Sequence, residues 1–591
     1  MNWEVPTMRS RKSLFNAADL RVDFTRFAPL PALYTVGLAV MILTSLANVR
    51  SSYYSSVSTI RSVISTMAPI QFVYALLISQ CLFGYLFDSR LSSAIHALPQ
   101  TRGSRFRTHV FSGLLFSLLP HLILAVLCHF VRKEVDAMTG WWLLVSELQS
   151  VYFFGLAVLA ALCAGNRVGG LMVYGLLTCL PMLLLFLVST LVQPLMFGVE
   201  INTDHLEYCW PLAQMTGEEY MDIVTNWPDP YQDAVVQSIT PNVRSFVYLG
   251  VCAGLGALAV ILAGQMYRRR QLECAGELLS VKWLNPLFLV LYALAFGTLC
   301  QLLVSLFGDD NLNISLFVGI VLGYYTGLML LQRQVNVFKL KTVPAAIGLC
   351  AAVLVPLMLL GLDVPGIIRK VPEENRIVSV SIGSSSINSG AGFTTESRED
   401  IAKLRAVHEV QVQSWEDWRS RNLSPLSILE STHNRNLISA DAYDTAVFVR
   451  LTYKLTDGST LRRSYRVPVD TEAGQACKAF LARPENMLGV SSREELLRQS
   501  IDSVDSYIYD GYGSHYVAQE DMPGLLNALY DDCEAGKLLP DVFMPGDRSV
   551  LYSVSIAPRG NDINIWLYIF DNGTETEQYL KTHLRHNAGG K

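Results

Sequence analysis

The chain has 591 residues, 51% of them hydrophobic and 16% charged, and its mean hydropathy is +0.31. With 46 Lys+Arg against 51 Asp+Glu its formal net charge is −5, which excludes a basic nucleic-acid surface as its organising feature. The averages conceal a division: residues 1–362 are very apolar and hold 22 Lys+Arg and 19 Asp+Glu, whereas residues 363–591 are polar throughout and hold 24 and 32.

In residues 1–27, Arg9, Arg11, Lys12, Arg21 and Arg26 precede a long apolar run, the pattern of a segment kept in the cytoplasm and not of a cleaved leader. Leu14, Phe15, Ala18 and Val22 give this segment an apolar side, which suits a short interfacial helix; a solvated basic tail fits as well. About nine apolar stretches follow, near 28–48, 67–87, 110–131, 143–164, 169–192, 245–266, 286–307, 314–332 and 344–362. Each matches the hydrocarbon thickness of a bilayer, where a helix satisfies its own backbone hydrogen bonds. With the N-terminus inside, the cytoplasmic tail and connections (88–109, 165–168, 267–285, 333–343) collect 17 Lys+Arg and the outer ones 5, as the positive-inside rule requires. An odd number of spans then puts residues 363–591 outside. The expected fold is a polytopic α-helical membrane protein over 28–362, with an extracytoplasmic α+β domain over 363–591.

Two cytoplasmic connections are more than turns. In the first, Leu91, Ile95 and Leu98 recur at helical spacing until Pro99, and Arg102, Arg105 and Arg107 follow, which predicts a short amphipathic helix on the inner face. The second begins with Arg268, Arg269 and Arg270 and carries Glu273 and Gly276 before Trp283. Taken alone, an interfacial helix without a partner explains either. Within the spans, His121 follows Pro120, whose ring frees a backbone carbonyl; it lines a translocation path or pairs with a neighbouring helix. Glu147 and Gln149 are expected at the interface, at the outer end of the fourth span. Gly319, Gly323 and Gly327 form a face for close helix approach, within the chain or across a dimer. The acidic outer loop 193–244 carries Trp210, Tyr220, Trp227 and Tyr231, as belt aromatics or as a lid. Seven cysteines fall in spans; Cys477 and Cys533 lie outside them and leave a disulfide open.

In the polar part, RIVSVSIG reads as a strand and a helix starts near Ser397, spaced from Asp400 as a capping box, with Ile401, Leu404, His408, Val412 and Trp415 on one face. AVFVRLTYKL and TLRRSYRVPV, joined by Asp457-Gly458, read as a hairpin, and a helix near 471–483 closes the unit. SYIYDG, MPGLLNALYDDCEAG, VLYSVSI, INIWLYI and a helix after Thr574/Glu577 repeat the order, so two βαββα units are expected, about 376–483 and 503–586. His408 reads as a satisfied core residue and Asp531, Asp532 and Glu534 as a solvated helix face. His408, His433, His515, His583 and His586 have no metal-ligand spacing, and no nucleophile motif appears, so no metal, cofactor or enzymatic activity is expected. No phosphate loop occurs: the Gly-rich stretches 165–170 and 383–392 lack its lysine.

SLFNAADLRVDFTRFAPLPALY, AIHALPQTRGSRF with the following GLLFSLLP, and RRRQLECAGELL together resemble the permease subunits of ABC-2-like ABC exporters of Gram-positive bacteria. The resemblance is closest to the acetoin-utilisation transporter permeases with an extracytoplasmic C-terminal domain; it covers most of residues 14–285, and the tail matches in architecture more than in motif. It implies a multi-pass cell-membrane protein working with a separate ATP-binding subunit, and a homo- or heterodimer with a second permease. It also implies that the ATPase docks at Leu91, Ile95, His96, Leu98 and Arg102, with Arg269, Arg270, Glu273 and Gly276 of the second loop beside them. A membrane sensor or resistance protein whose outer domain binds a ligand such as a peptide antibiotic is the alternative.

Overall fold

The structure is a computed structural model that describes residues 16–586 apart from 49–52, 99, 132–135, 193–194, 201–205, 227–234, 308–312, 384–392, 423–445, 469, 482, 484–492, 495–503, 510–513, 518–520, 536, 539–549, 559–564 and 571–573. Arg9, Arg11, Lys12, Leu14, Phe15, Pro99, Trp227, Tyr231 and His433 therefore lie outside the described residues. The chain divides into two compact units. One comprises Met1–Phe186, Thr203–Leu303 and Ser315–Cys350; the other comprises Leu187–Asn202, Val304–Ile314 and Ala351–Lys591.

The apolar part contains α1 (Ala17–Phe27), α2 (Pro29–Asn48), α3 (Tyr53–Leu82), α4 (Ser89–His96), α5 (Arg102–Val131), α6 (Asp136–Cys163), α7 (Arg167–Leu187), α8 (Pro211–Met215), a hairpin of β1 (Met221–Asn226) and β2 (Val235–Pro241), α9 (Val243–Arg269), α10 (Asn285–Phe307), α11 (Ile314–Gln332) and α12 (Val343–Gly361). Among the described residues eight of these are long and apolar enough to cross a membrane: α3, α5, α6, α7 and α9 to α12. The pair α1 and α2, bent by 55° at its junction, makes a ninth. Helices α3, α5 and α6 begin well before the apolar runs, because helical hydrogen bonding continues through Ser, Thr and Arg residues that hydropathy does not mark. On α1 the expected apolar side is exposed at Val22, and the buried residue is Asp23.

Prolines interrupt α3 and α5 without ending them, and the carbonyl each one frees is taken up elsewhere. Pro69 leaves the Ser65 carbonyl without its helical N–H, and the Gly217 N–H donates to it at 3.0 Å. Pro120 does the same to Phe116, whose carbonyl accepts from the Tyr74 hydroxyl at 2.9 Å. Helix α6 packs against α3, α5 and α9. Its crossing with α9 is backbone on backbone: a Cβ on Gly155 would lie 2.1 Å from the Gly256 oxygen, and one on Gly256 would lie 2.4 Å from the Val151 oxygen. Gly319, Gly323 and Gly327 face α10 within the chain, where added Cβ atoms would come within 2.8 Å of Gly297, Phe296 and Leu289.

The polar part holds two antiparallel sheets. The first lobe runs β3 (Ile377–Gly383), β4 (Phe393–Thr395), α13 (Arg398–Gln413), α14 (Trp415–Asn422), β5 (Ala446–Leu455), β6 (Thr460–Pro468) and α15 (Glu472–Leu481). The second runs β7 (Val504–Tyr509), β8 (Ser514–Val517), α16 (Met522–Glu534), β9 (Val550–Pro558), β10 (Ile565–Phe570), α17 (Glu575–His583) and β11 (Leu584–His586). Their strand orders, β4-β3-β5-β6 and β11-β8-β7-β9-β10, share one topology with β11 added at an edge. Each lobe contains the expected strands and helices plus a short strand, β4 or β8, that hydropathy does not reveal, and in the first lobe the expected helix ends at Gln413, so that Trp415 starts a separate helix, α14. The hairpin turn forms as expected: Gly458 has φ +81°, and Asp457 accepts from the Ser459 N–H at 2.9 Å.

Four details differ from the sequence reading. Ser397 occupies the N-cap of α13 but its side chain makes no cap bond, and Asp400 instead accepts a two-pronged contact from Arg483, both arms 3.0 Å. Asp532 is buried, accepting from the Glu575 N–H at 3.1 Å and the Thr576 N–H and hydroxyl at 2.7 Å, so it caps α17 together with Thr574. His408 is fully buried beside Tyr453 and Tyr465, yet neither ring nitrogen has a hydrogen-bond partner; burial, with Arg463 and Arg405 nearby, pushes its pKa down to about 3. Cys477 and Cys533 lie in the cores of different lobes and are not joined to each other, and burial pushes both thiols up to about 12.

Candidate functional site

One end of the helical bundle brings both sequence-predicted loops together. Asp88 starts α4 by accepting from the Arg90 and Leu91 N–H groups at 2.8 and 3.2 Å. The helix buries Ser92 and half-buries Ile95, leaving Leu91 and Leu98 exposed. Arg102 donates to the Arg270 carbonyl at 2.9 Å, and Arg270 reaches back to the carbonyls of Leu162 at 2.9 Å and Leu86 at 3.3 Å. His96 Nε2 lies 3.5 Å from the Tyr267 hydroxyl, itself 2.6 Å from that of Tyr85. Burial holds the His96 imidazole below its ordinary pKa, and Arg102, Arg105 and Arg270 add to this.

Backbone bonds stitch the two connections directly. The Gly276 N–H donates to Gly165 at 2.7 Å, the Gly165 N–H to Leu278 at 3.1 Å and the Ser280 N–H to Cys163 at 2.8 Å. Gly276 has φ +92°, and a Cβ on Gly165 would sit 2.4 Å from the Cys274 and Glu277 oxygens. The Gly-rich stretch 165–170 is therefore a place of close backbone approach. Of the predicted docking residues, Ile95, His96, Arg102, Arg270 and Gly276 hold this end together, while Leu91, Leu98, Arg269 and Glu273 are exposed on it.

The sequence reading missed how α1 is fixed to this end. Asp23, 3% exposed, accepts from the Ser112 hydroxyl at 2.7 Å and lies 2.8 Å from His109 Nδ1, and the Asn16 N–H donates to Thr108 Oγ1 at 3.0 Å. The signal was available: a carboxylate so close to the start of an apolar helix needs a buried partner.

Asp23 belongs to a polar line along α5. Arg105, Thr108, His109, Ser112, Ser117 and His121 are all buried, while Phe111, Leu119, Leu122, Ile123, Val126 and Phe130 on its other side are exposed. In an aqueous protein this distribution would be inverted; it suits a helix with lipid outside and polar contacts inside. At its far end His121 Nδ1 lies 2.6 Å from Glu147 Oε1, and its Nε2 lies 3.0 Å from the Tyr34 hydroxyl and 3.1 Å from Gln71 Nε2. Ser150 donates to Gln71 Oε1 at 2.7 Å. Glu147 thus turns towards a histidine and Gln149 is fully buried, so neither occupies the simple interfacial position expected of it. Among the described residues no group of three His, Cys, Asp or Glu side chains could hold a metal ion.

Eight to nine apolar helices, with polar side chains turned into the bundle, define a polytopic helical protein compatible with a multi-pass membrane protein. No family model matches the chain, and no curated protein or solved structure matches it either.

Proposed function

We propose that this chain is the permease subunit of an ABC transporter, an exporter that moves its cargo across the cell membrane on ATP hydrolysed by a separate subunit. The observation that carries this reading is the α4 end: exposed Leu91 and Leu98 beside exposed Arg269 and Glu273, mounted on loops that hydrogen bonds fasten to α5, α6 and α9. An exposed apolar surface of this kind, on α4 and the turn after it, suits a partner's groove, and its mounting would pass a displacement into the bundle. The absence of a phosphate loop in the sequence requires the ATP-hydrolysing groups to come from the partner.

One observation supports the N-terminus inside and residues 363–591 outside, and another supports the segment after α7 and residues 363–591 lying on the same side. One is the 17 to 5 distribution of Lys+Arg over the connections. The other is that Val199, which follows α7, pairs with Arg463, and Glu200 accepts from Arg450 at 2.8 Å and Ser464 at 2.5 Å. Residues after α7 and after α12 then share one side, which the four intervening helices of membrane-crossing length, α9 to α12, allow. A second permease, identical or different, completes the transporter; its interface lies away from the α11 glycines, which α10 already covers.

The test replaces Leu91 and Leu98 by Asp and leaves half-buried Ile95 intact. Membrane insertion should be unchanged and recovery of a co-expressed ABC ATPase with the chain should fall at least tenfold, on the order of the 1.4 kcal/mol or more that two buried leucines contribute. Unchanged co-purification overturns the docking face.

A further inference from the structure

We infer that the groove between α2 and α3 holds one anionic phospholipid, its acyl chain lying along the groove and its phosphate held by Arg26 and Arg167 at the α4 end of the bundle. The site stands whether or not an ATPase docks at that end.

The two helices enclose a groove of about 440 Å³, walled by Leu30 and Leu33 of α2 and by Ile70, Val73 and Leu77 of α3. Its floor is the ring pair Tyr34 and Tyr74, stacked at 3.7 Å between centroids. Both hydroxyls are already engaged inside the bundle, Tyr34 with His121 Nε2 at 3.0 Å and Tyr74 with the Phe116 carbonyl at 2.9 Å, which leaves ring carbon to the groove. An ordered water needs about two to four polar partners, and the lining side chains offer none, so hydrocarbon is what fits. Leu33, Val73 and Leu77 stand exposed along the rim, where the acyl chains of a bilayer would surround them. From Pro69 to Leu77 the groove follows eight residues of α3, about 12 Å at 1.5 Å per residue. That is close to the hydrocarbon depth of one leaflet, half of a bilayer's roughly 30 Å.

Charge at one end selects the lipid. Arg26 lies four residues before Leu30 and Cys81 four residues after Leu77, and both Arg26 and Arg167 are within electrostatic reach of Cys81. The Arg167 guanidinium sits just beyond α3, 3.8 Å from where a Cβ on Gly84 would be, and that of Arg26 rests over the Phe27 ring at 5.3 Å. Both residues are exposed, and no carboxylate among the described residues forms an ion pair with either. The acids of α1 are occupied elsewhere: Asp19 accepts from Gln100, and Asp23 from Ser112. Two unpaired guanidinium groups at the mouth of an apolar groove suit a phosphate diester, which accepts charge-assisted hydrogen bonds from both. A choline headgroup would instead bring a like charge beside them. Basic sites between membrane helices favour anionic headgroups for this reason.

Native mass spectrometry of the full chain, released from nanodiscs of equal parts phosphatidylglycerol and phosphatidylcholine, reads the bound lipid directly. The natural chain should retain one phosphatidylglycerol, with a preference of about tenfold or more over phosphatidylcholine. Arg26→Gln combined with Arg167→Gln should abolish that preference, whereas Lys341→Gln, at an exposed cation in the connection before α12, should leave it intact. Val73→Trp fills the groove and should lower retention of both lipids about tenfold or more. Inorganic phosphate in excess should not displace the lipid, because it lacks the chain. Equal retention of the two lipids, a preference that survives the double substitution or is lost equally in Lys341→Gln, displacement by inorganic phosphate, or unchanged retention in Val73→Trp overturns the site. So does a chain that leaves the nanodisc as a dimer and that Val73→Trp makes monomeric, which would give the groove to a second copy. If Val73→Trp does not insert, Leu33→Trp on the opposite wall decides the same point.

Discussion

Replacing His408 by Phe should make the first lobe of the polar part resistant to acid. In the folded chain this imidazole is held near a pKa of about 3 against an ordinary 6.5, so the unfolded chain binds a proton that the folded chain refuses. Stability is therefore fully present above pH 6.5 and is lost as pH falls from there towards 3. Each pH unit in that window costs about 1.4 kcal/mol, so roughly 2.7 kcal/mol is gone by about pH 4.5 and roughly 5 kcal/mol by pH 3. Phe keeps the ring's shape beside Tyr453 and Tyr465 and removes two unpartnered nitrogens, which should itself stabilise by about 1 to 3 kcal/mol. Amide hydrogen exchange of β5 and β6 in the full chain, corrected for intrinsic rates, reads the effect. Protection in the natural chain should drop between pH 7 and about pH 4.5 by the amount above, and H408F should lose far less. An equal drop in both chains would refute the reasoning.

The α6–α9 crossing leaves no room for a methyl group: Gly155→Ala should lower the thermal midpoint of the detergent-solubilised chain by an amount equivalent to about 1 to 3 kcal/mol, whereas Gly250→Ala, on α9 with open space around it, should not. Asp532→Ala should cost about 0.5 to 2 kcal/mol and speed exchange in the first turn of α17, because the Glu575 and Thr576 N–H groups lose their acceptor; exchange unchanged in α17 would show that Thr574 suffices.

The spans were legible because a run of apolar side chains long enough for a bilayer leaves few other structures open, and all nine expected stretches are helical. The hairpins and the repeated order in the polar part were legible for a similar reason, since period-two alternation and Asp457-Gly458 are local signals. What stayed hidden depends on neighbours distant in sequence. Asp532 looks like one of three solvated acids until α17 arrives 43 residues later with free N–H groups. Glu147 looks interfacial until His121, 26 residues earlier, turns towards it. Gly155 and Gly256 share no local motif and become conspicuous only when α6 and α9 touch. At the α4 end the sequence singled out both loops but could not tell exposed Leu91 and Leu98 from His96, Arg102 and Arg270, which hold those loops together. That distinction rests on carbonyl acceptors in other helices.

The most direct test of the account is to purify the full chain from its native membranes and ask whether an ATPase with a phosphate loop comes with it. The account predicts such a subunit, bound through the α4 end, whose ATP hydrolysis rises in the complex and whose recovery falls at least tenfold when Leu91 and Leu98 become Asp. A chain recovered without any ATPase, or a complex indifferent to those two substitutions, would contradict it.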